Sequence, residues 1–309
     1  MEMEIIEPNN LENFKQKTDT FLLQNLAFNS GILGLRRDTC IEYNTLLCII
    51  RNSETNLIEL VSIFNDKYAG SISKQLEHQT SEQRKQIFQL LVKTVFEKKI
   101  WIKGLSDEPH NCLLFEQCWK EVLENKFKQS KYEFHLVLYQ LNKHNLKLFP
   151  SENRKCQVVT LEYFEVWKQR LLKFGMRYFV DSKMDLSSWE TSEAKSEFIE
   201  KTVSRFIALR SLYVLCDSET NEPQSMSCIV SRTSIGGRIA WVYTPPDLRG
   251  IGLSKQCVSQ MCKHCFEIEP NWNFIFLYAD CDNPFSNSVY TRIGFERKEL
   301  CDVMLFDYN

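Results

Sequence analysis

Arg249-Gly250-Ile251-Gly252-Leu253-Ser254 stands between the apolar run Arg238-Ile239-Ala240-Trp241-Val242-Tyr243-Thr244 and a stretch, Leu253 to Glu267, with apolar residues at helical spacing. A strand that ends in Pro245-Pro246, turns through two glycines and opens a helix directs unpaired backbone N–H groups and a helix dipole at one spot. Such a spot favours an anion, usually a phosphate. Gly250 and Gly252 allow φ > 0 or a close approach to a ligand, and Ser254 is small enough to leave that approach open. The same glycines would also serve a plain tight turn before a helix.

A second segment begins 34 residues after Arg249: Asn283-Pro284-Phe285-Ser286-Asn287-Ser288-Val289-Tyr290-Thr291-Arg292-Ile293-Gly294-Phe295. Taken alone it reads as an ordinary helix start, with Asn283 before Pro284. The pair, in this order, resembles the GNAT superfamily of acetyl-CoA-dependent N-acetyltransferases. Arg249, Gly252 and Ser254 match its Arg/Gln-x-x-Gly-x-Gly/Ala motif, with Ser in place of the last Gly or Ala. Asn283 and Tyr290 match its Asn-to-Tyr helix, which is followed here by Ile293-Gly294-Phe295.

The resemblance implies an α/β (α+β mixed sheet) GNAT-like acyltransferase fold, with acetyl-CoA as acyl donor. Backbone groups of Val242, Tyr243 and Thr244 would pair with the pantetheine arm. The amides of Gly250, Ile251, Gly252, Leu253, Ser254 and Lys255 would hold the pyrophosphate, with Arg249 adding positive charge. Asn283 would bond the arm from its other side, and Tyr290 would act as general acid to the departing thiolate. A phenol with a pKa of about 10 suits a thiol of about 8.5, because the proton is needed only as the sulfur leaves. Tyr290 also fits a core aromatic with a tied hydroxyl. The sequence marks no general base: Asp280 and Asp282 lie near the expected cleft but suit helix capping equally, and a water chain would serve. Trp241 and Tyr243 are candidates for the acceptor pocket or, by strand alternation, for the core.

Three functional readings compete. One is an N-acetyltransferase acting on an amine-bearing acceptor, either a small molecule or a protein; one is an acyl-CoA:amino-acid N-acyltransferase of the glycine N-acyltransferase kind. The third is a non-enzymatic acyl-CoA-binding or interaction module. A net charge of −2 argues against a nucleic-acid partner, which calls for a basic surplus. No apolar run reaches membrane-span length, and Met1-Glu2-Met3-Glu4 lacks the basic start of a signal peptide, so a cytoplasmic monomer or homodimer is expected. The twelve cysteines are dispersed through apolar runs such as Leu46-Leu47-Cys48-Ile49-Ile50, which reads as buried thiols rather than a disulfide framework. Cys262-Lys263-His264-Cys265 lies in an expected helix without a second C-x-x-C, so no metal site is assigned.

At 309 residues the chain is about twice a typical domain. A polar stretch over 142–156 reads as a linker, which divides the chain into 1–145 and 155–309. The second part reads as a strand (156–160), helices (161–180 and about 192–208, after Ser187-Ser188) and strands 211–216, 225–232 and 238–244. It continues as helix 253–267, strand 274–279, helix 285–293 and strand 299–307. Gly236-Gly237 suits a tight hairpin. The first part reads as a strand at 4–6, a helix over 11–35, a hairpin across Asn52-Ser53-Glu54-Thr55-Asn56, helices 81–96 and 112–127, and a strand 133–141. Its order permits a degenerate GNAT-like domain: it holds no Arg-x-x-Gly-x-Gly, only an isolated glycine turn at Ala69-Gly70-Ser71, so catalysis is assigned to 155–309.

Overall fold

A computed structural model of the chain describes residues 1–29, 32, 45–66, 69–73, 79–182 and 191–309. These form two compact units. Unit 1 comprises Met1–Leu138, Asp280–Asp282 and Glu299–Asn309; unit 2 comprises Tyr139–Ala279 and Asn283–Lys298. The last strand, read from sequence as part of the second half, thus contributes residues 299–309 to unit 1.

Unit 1 contains β1 (Glu2–Ile6), α1 (Leu11–Gln24), β2 (Thr45–Arg51), β3 (Ile58–Asn65), β4 (Gly70–Ile72), α2 (Ser81–Glu97), β5 (Gly104–Asp107), α3 (Pro109–Leu123) and most of β6 (Phe127–Asn142). The β2–β3 hairpin turns at the expected residues, where Asn52 Oδ1 accepts the Glu54 and Thr55 N–H groups and Asn56 takes a positive φ. β2 is a continuous apolar run because both its faces are covered. Leu46, Cys48 and Ile50 pack with Phe88, Phe115 and Trp119 from α2 and α3, while Leu47 and Ile49 pack with Phe14 and Leu22 of α1. β4 and β5 run parallel, and α2 makes the crossover that a parallel pair needs.

Three expectations for this unit change. α1 ends at Gln24, and the rest of that expected helix beyond residue 29, apart from residue 32, lies outside the described residues. α3 stops at Leu123 because Glu124 turns to φ +49°, so Phe127 opens a strand instead of closing a helix. Gly70 starts β4 rather than a turn, and a Cβ there would lie 2.3 Å from the Phe64 ring.

Unit 2 contains β7 (Arg154–Val158), α4 (Leu161–Asp181), α5 (Ser192–Ala208), β8 (Leu212–Asp217), β9 (Pro223–Arg232), β10 (Gly236–Tyr243), α6 (Leu253–Ile268), β11 (Phe274–Asp280) and α7 (Pro284–Ile293), followed by the start of β12 (Glu296–Tyr308). Its strands order as β11-β10-β9-β8-β7; β10–β11 is the parallel pair and α6 its crossover. Thr160 and Thr191 cap α4 and α5 through their hydroxyls. Those helices cover one face of the sheet with Trp167, Leu171, Phe174, Val203 and Phe206 against Val214, Met226 and Trp241. The expected Ser187-Ser188 break lies outside the described residues.

Gly236 and Gly237 do not form the hairpin turn; they begin β10. Thr233 makes the turn, its hydroxyl bonding the Gly236 carbonyl at 2.8 Å and accepting the Gly236 N–H. The glycines serve packing instead, since a Cβ on Gly237 would lie 2.3 Å from the Trp272 ring.

Candidate functional site

The parallel ladder between β10 and β11 pairs Gly236–Ile239 with Phe274–Leu277 and goes no further. Just beyond it, β10 bulges. Ala240 pairs with Cys228 and Tyr243 with Met226, so Trp241 and Val242 together oppose Ser227 of β9. Trp241 takes φ +55° to make that kink, a conformation an aromatic residue adopts only when its surroundings hold it there. Phe179 and Phe206 meet its indole edge-on at 5.1 and 5.2 Å, and Tyr178 stacks on it at 5.4 Å. Trp241 and Tyr243 are both buried side chains, so of their two readings the core one holds within this unit.

The strand then leads into the glycine loop. Gly250 and Gly252 adopt φ +87° and +84°, and a Cβ at Gly250 would meet nothing within 4 Å. Gly252 is the N-cap of α6 and supplies no side-chain acceptor. The first intrahelical bond is Gln256 N–H to Gly252 carbonyl, which leaves the N–H groups of Leu253, Ser254 and Lys255 without an acceptor among the described residues. No acidic residue stands in the first turn. Leu253 is buried against Leu215 and Cys257, so it anchors the helix start and offers the site only its backbone; Ile251 points outward, 59% exposed.

The two cations of the loop are parked. Arg249 Nε donates to the Thr244 carbonyl at 2.9 Å, its guanidinium pairs with Asp181 of α4 and lies over the Tyr243 ring. Lys255 Nζ sits 4.1 Å from the Phe149 ring centroid. The Tyr243 carbonyl accepts the Ser225 hydroxyl at 3.0 Å. Of the strand residues predicted to face the cofactor arm, Tyr243 and Thr244 therefore have their carbonyls engaged, and the bulge at Trp241–Val242 is the part that lies beside the end of the ladder.

Across the split, Asn283 caps α7, its Oδ1 accepting the Ser286 N–H at 3.1 Å. Tyr290 lies on α7, 7% exposed, between Tyr139 and Phe295 with ring centroids at 6.0 and 5.8 Å. Burial pushes its phenol well above the ordinary range, reinforced by Tyr178 and Tyr139 nearby. Its hydroxyl has no hydrogen-bond partner among the described residues. Asp280 Oδ1 accepts the Asp282 N–H at 2.8 Å, which closes the turn after β11.

Sequence reasoning missed the face of α4 that supports this site. Phe174, Tyr178 and Asp181, spaced four and three residues apart, meet Tyr243, Trp241 and Arg249 in turn. Gly175 lets the helix approach, since a Cβ there would lie 2.8 Å from Ile199 and 3.2 Å from Trp241. The signal was present as a mid-helix glycine inside an aromatic stripe. Cys262 and Cys265 lie buried on α6, and burial pushes Cys265 up to about 11. Cys257 is likewise a core thiol, beside Ser227. Among the described residues no group of three His, Cys, Asp or Glu side chains is arranged to hold a metal.

A split parallel pair, a kinked strand and an open helix start after two left-handed glycines now stand together. Residues 216–303 match the family model described as FR47-like protein. The fold is that of the GNAT acetyltransferases. An acetyltransferase of the GNAT family from Colwellia psychrerythraea superposes with TM-score 0.55 over 100% of both chains at 13% identity. A tandem GNAT protein from the clavulanic acid biosynthesis pathway gives 0.53 over 99% of this chain and 98% of its own, at 10% identity. A Drosophila protein solved by X-ray crystallography gives 0.60, covering 99% and 98%, at 8% identity. No curated protein matches the sequence. The likeness to the tandem protein spans both units, and no helix among the described residues is long and apolar enough to cross a membrane.

Proposed function

We propose that the chain is an N-acetyltransferase that transfers an acetyl group from acetyl-CoA to an amine-bearing acceptor, small molecule or protein, by direct attack in a ternary complex, with unit 2 as the catalytic unit. The observation that carries this reading is the start of α6, whose cap residue is a left-handed glycine with no side chain to fill it. The chain's own groups fit a pyrophosphate there: three open N–H groups, a positive helix end, and the cationic side chains of Arg249 and Lys255 on the loop and first turn.

When bound, acetyl-CoA supplies the acetyl thioester. The bulge at Trp241–Val242 would hold the pantetheine arm and present backbone N–H groups to the charge that develops on the carbonyl oxygen. Tyr290, buried and kept protonated well beyond neutral pH, would donate its proton to the sulfur as the C–S bond breaks, and the resulting phenolate would then take the extra proton from the nitrogen already bonded to the acyl carbon. A raised phenol pKa makes free transfer to a thiolate uphill, so the proton must move together with bond cleavage. The core around Tyr139 and Phe295 shields that proton from water.

Calorimetric titration with acetyl-CoA tests the reading. The intact protein should bind in the micromolar range, a Gly252→Trp variant should not, and Tyr290→Phe should bind normally while turning over about 10- to 100-fold more slowly. Absence of binding by the intact protein sinks the proposal, and an unchanged rate in Tyr290→Phe removes Tyr290 from the chemistry.

A further inference from the structure

Tyr178 of α4 stands at the bulge itself. Burial raises its phenol, and the backbone N–H of Trp241 nearby lowers it. Its ring lies nearly parallel to the Trp241 indole, 5.4 Å between centroids and 21° between planes. The same phenol is close enough to Tyr290 to be felt electrostatically by it. One aromatic side chain therefore stacks on the residue at the bulge, where the acyl transfer reading places its backbone donor.

That ring has little room to retreat. Trp241 behind it is held by Phe179 and Phe206, and Gly175 lets the helix lie close against the indole. The α4 backbone at this point is also held, since the Tyr178 carbonyl accepts both the Ser182 N–H at 3.0 Å and the Ser182 hydroxyl at 2.7 Å. An acyl carbonyl accepting the Trp241 N–H would lie beside the Tyr178 ring. A chain extending beyond that carbonyl would meet the stacked ring.

Resting on the acyltransferase reading, we infer that Tyr178 is the specificity-determining residue that closes the acyl end of the site and restricts the donor to short acyl groups of two or three carbons. The ring sets the limit and its hydroxyl is dispensable for it.

The experiment compares binding of CoA, acetyl-CoA and hexanoyl-CoA to the full chain and to Tyr178→Phe, Tyr178→Leu and Tyr178→Ala, each first checked for an intact cooperative melt. In the intact protein hexanoyl-CoA should bind at least about tenfold more weakly than acetyl-CoA, a range that a few misplaced methylenes provide. Tyr178→Phe should keep that ratio, Tyr178→Leu should narrow it and Tyr178→Ala should abolish it, with affinity for CoA itself held within about threefold throughout. Should Tyr178→Ala not fold, the graded pair of Phe and Leu carries the test. Equal binding of the two thioesters by the intact protein, or a ratio that is the same in all folded variants, overturns the role of Tyr178 alone. Failure of the intact protein to bind CoA overturns the acyltransferase reading and this inference with it.

Discussion

Helices α2 and α6 occupy the same place in their respective units and begin in opposite ways. Each follows a short strand and crosses to a parallel neighbour, α2 from β4 to β5 and α6 from β10 to β11. α2 starts with a complete capping box: the Thr80 hydroxyl accepts the Gln83 N–H, and the Gln83 side chain accepts the Thr80 N–H at 2.8 Å. Glu82 stands in its first turn, adding a negative charge at the positive end. α6 starts with a bare left-handed glycine, no acid in the first turn and Lys255 at the position that Gln83 holds in α2. Of these two crossover helices, α2 is satisfied from within its own sequence and α6 is left with open N–H groups at its start.

The strands that follow differ in the same sense. β5 ends in Asp107, 1% exposed, directly opposite Asp302 of β12, while β11 ends in Asp280, which is exposed. β12 lies against β5 in unit 1, and Ser106 and Cys301 approach within 3.5 Å there.

The largest test of this contrast writes the closed start onto the open one. Gly252→Thr combined with Lys255→Gln brings α2's capping residue types to the matching positions of α6 and removes the glycine that the left-handed turn at φ +84° favours. Acetyl-CoA binding should fall at least about 100-fold, on the order of 2.7 kcal/mol, with helix content by circular dichroism unchanged. Retained binding would mean that the open N–H groups are not the anion site.

Much of this contrast was readable in the sequence. The glycine loop, the strand before it and the helix after it lie where the pattern placed them, because Gly-Ile-Gly after Pro245-Pro246 has few other ways to fold. The lack of a matching loop before α2 was equally plain. The bulge at Trp241 was not readable: nothing in Ala-Trp-Val-Tyr says that one residue takes φ +55°, since the kink is imposed by α4 packing through Phe179 and Gly175. Nor was the destination of the last strand. The apolar run Val303 to Phe306 marks a strand without naming its neighbour, and the ladder of Asp302–Leu305 with Gly104–Asp107 comes from a pairing about 200 residues apart in the chain.

A smaller effect is expected from Asp107. Burial raises its carboxyl well above the ordinary range, more than the Glu108 N–H and the Asn111 side chain lower it. With a folded pKa above the unfolded one, folding takes up a proton, so stability is greatest below the unfolded value and falls as pH rises towards the folded one. Asp107→Asn removes that dependence. It should stabilise the chain by about 1–3 kcal/mol at pH 7 and have little effect near pH 3.5, as read by chemical denaturation at both values. Because Asp107 belongs to unit 1 and the α6 loop to unit 2, acetyl-CoA affinity should not change. A stabilisation that is equal at the two pH values would show that the carboxyl is charged in the folded protein.

The smallest expected effect completes the comparison from the closed side. Thr80→Ala removes the hydroxyl that accepts the Gln83 N–H at 3.2 Å and should cost about 1 kcal/mol of stability. It exposes an N–H at the start of α2 but leaves Glu82 beside it and the Gln79 side chain bonded to Glu59 at 2.8 Å. An incoming phosphate would still meet negative charge rather than the lysine and arginine of the α6 loop, and the backbone before Thr80 lacks a left-handed pair of glycines to wrap it. The variant should therefore lose stability without acquiring a second site, and acetyl-CoA should titrate with the stoichiometry of the intact protein. A second equivalent bound after this single change would show that unit 1 differs from unit 2 by its cap alone.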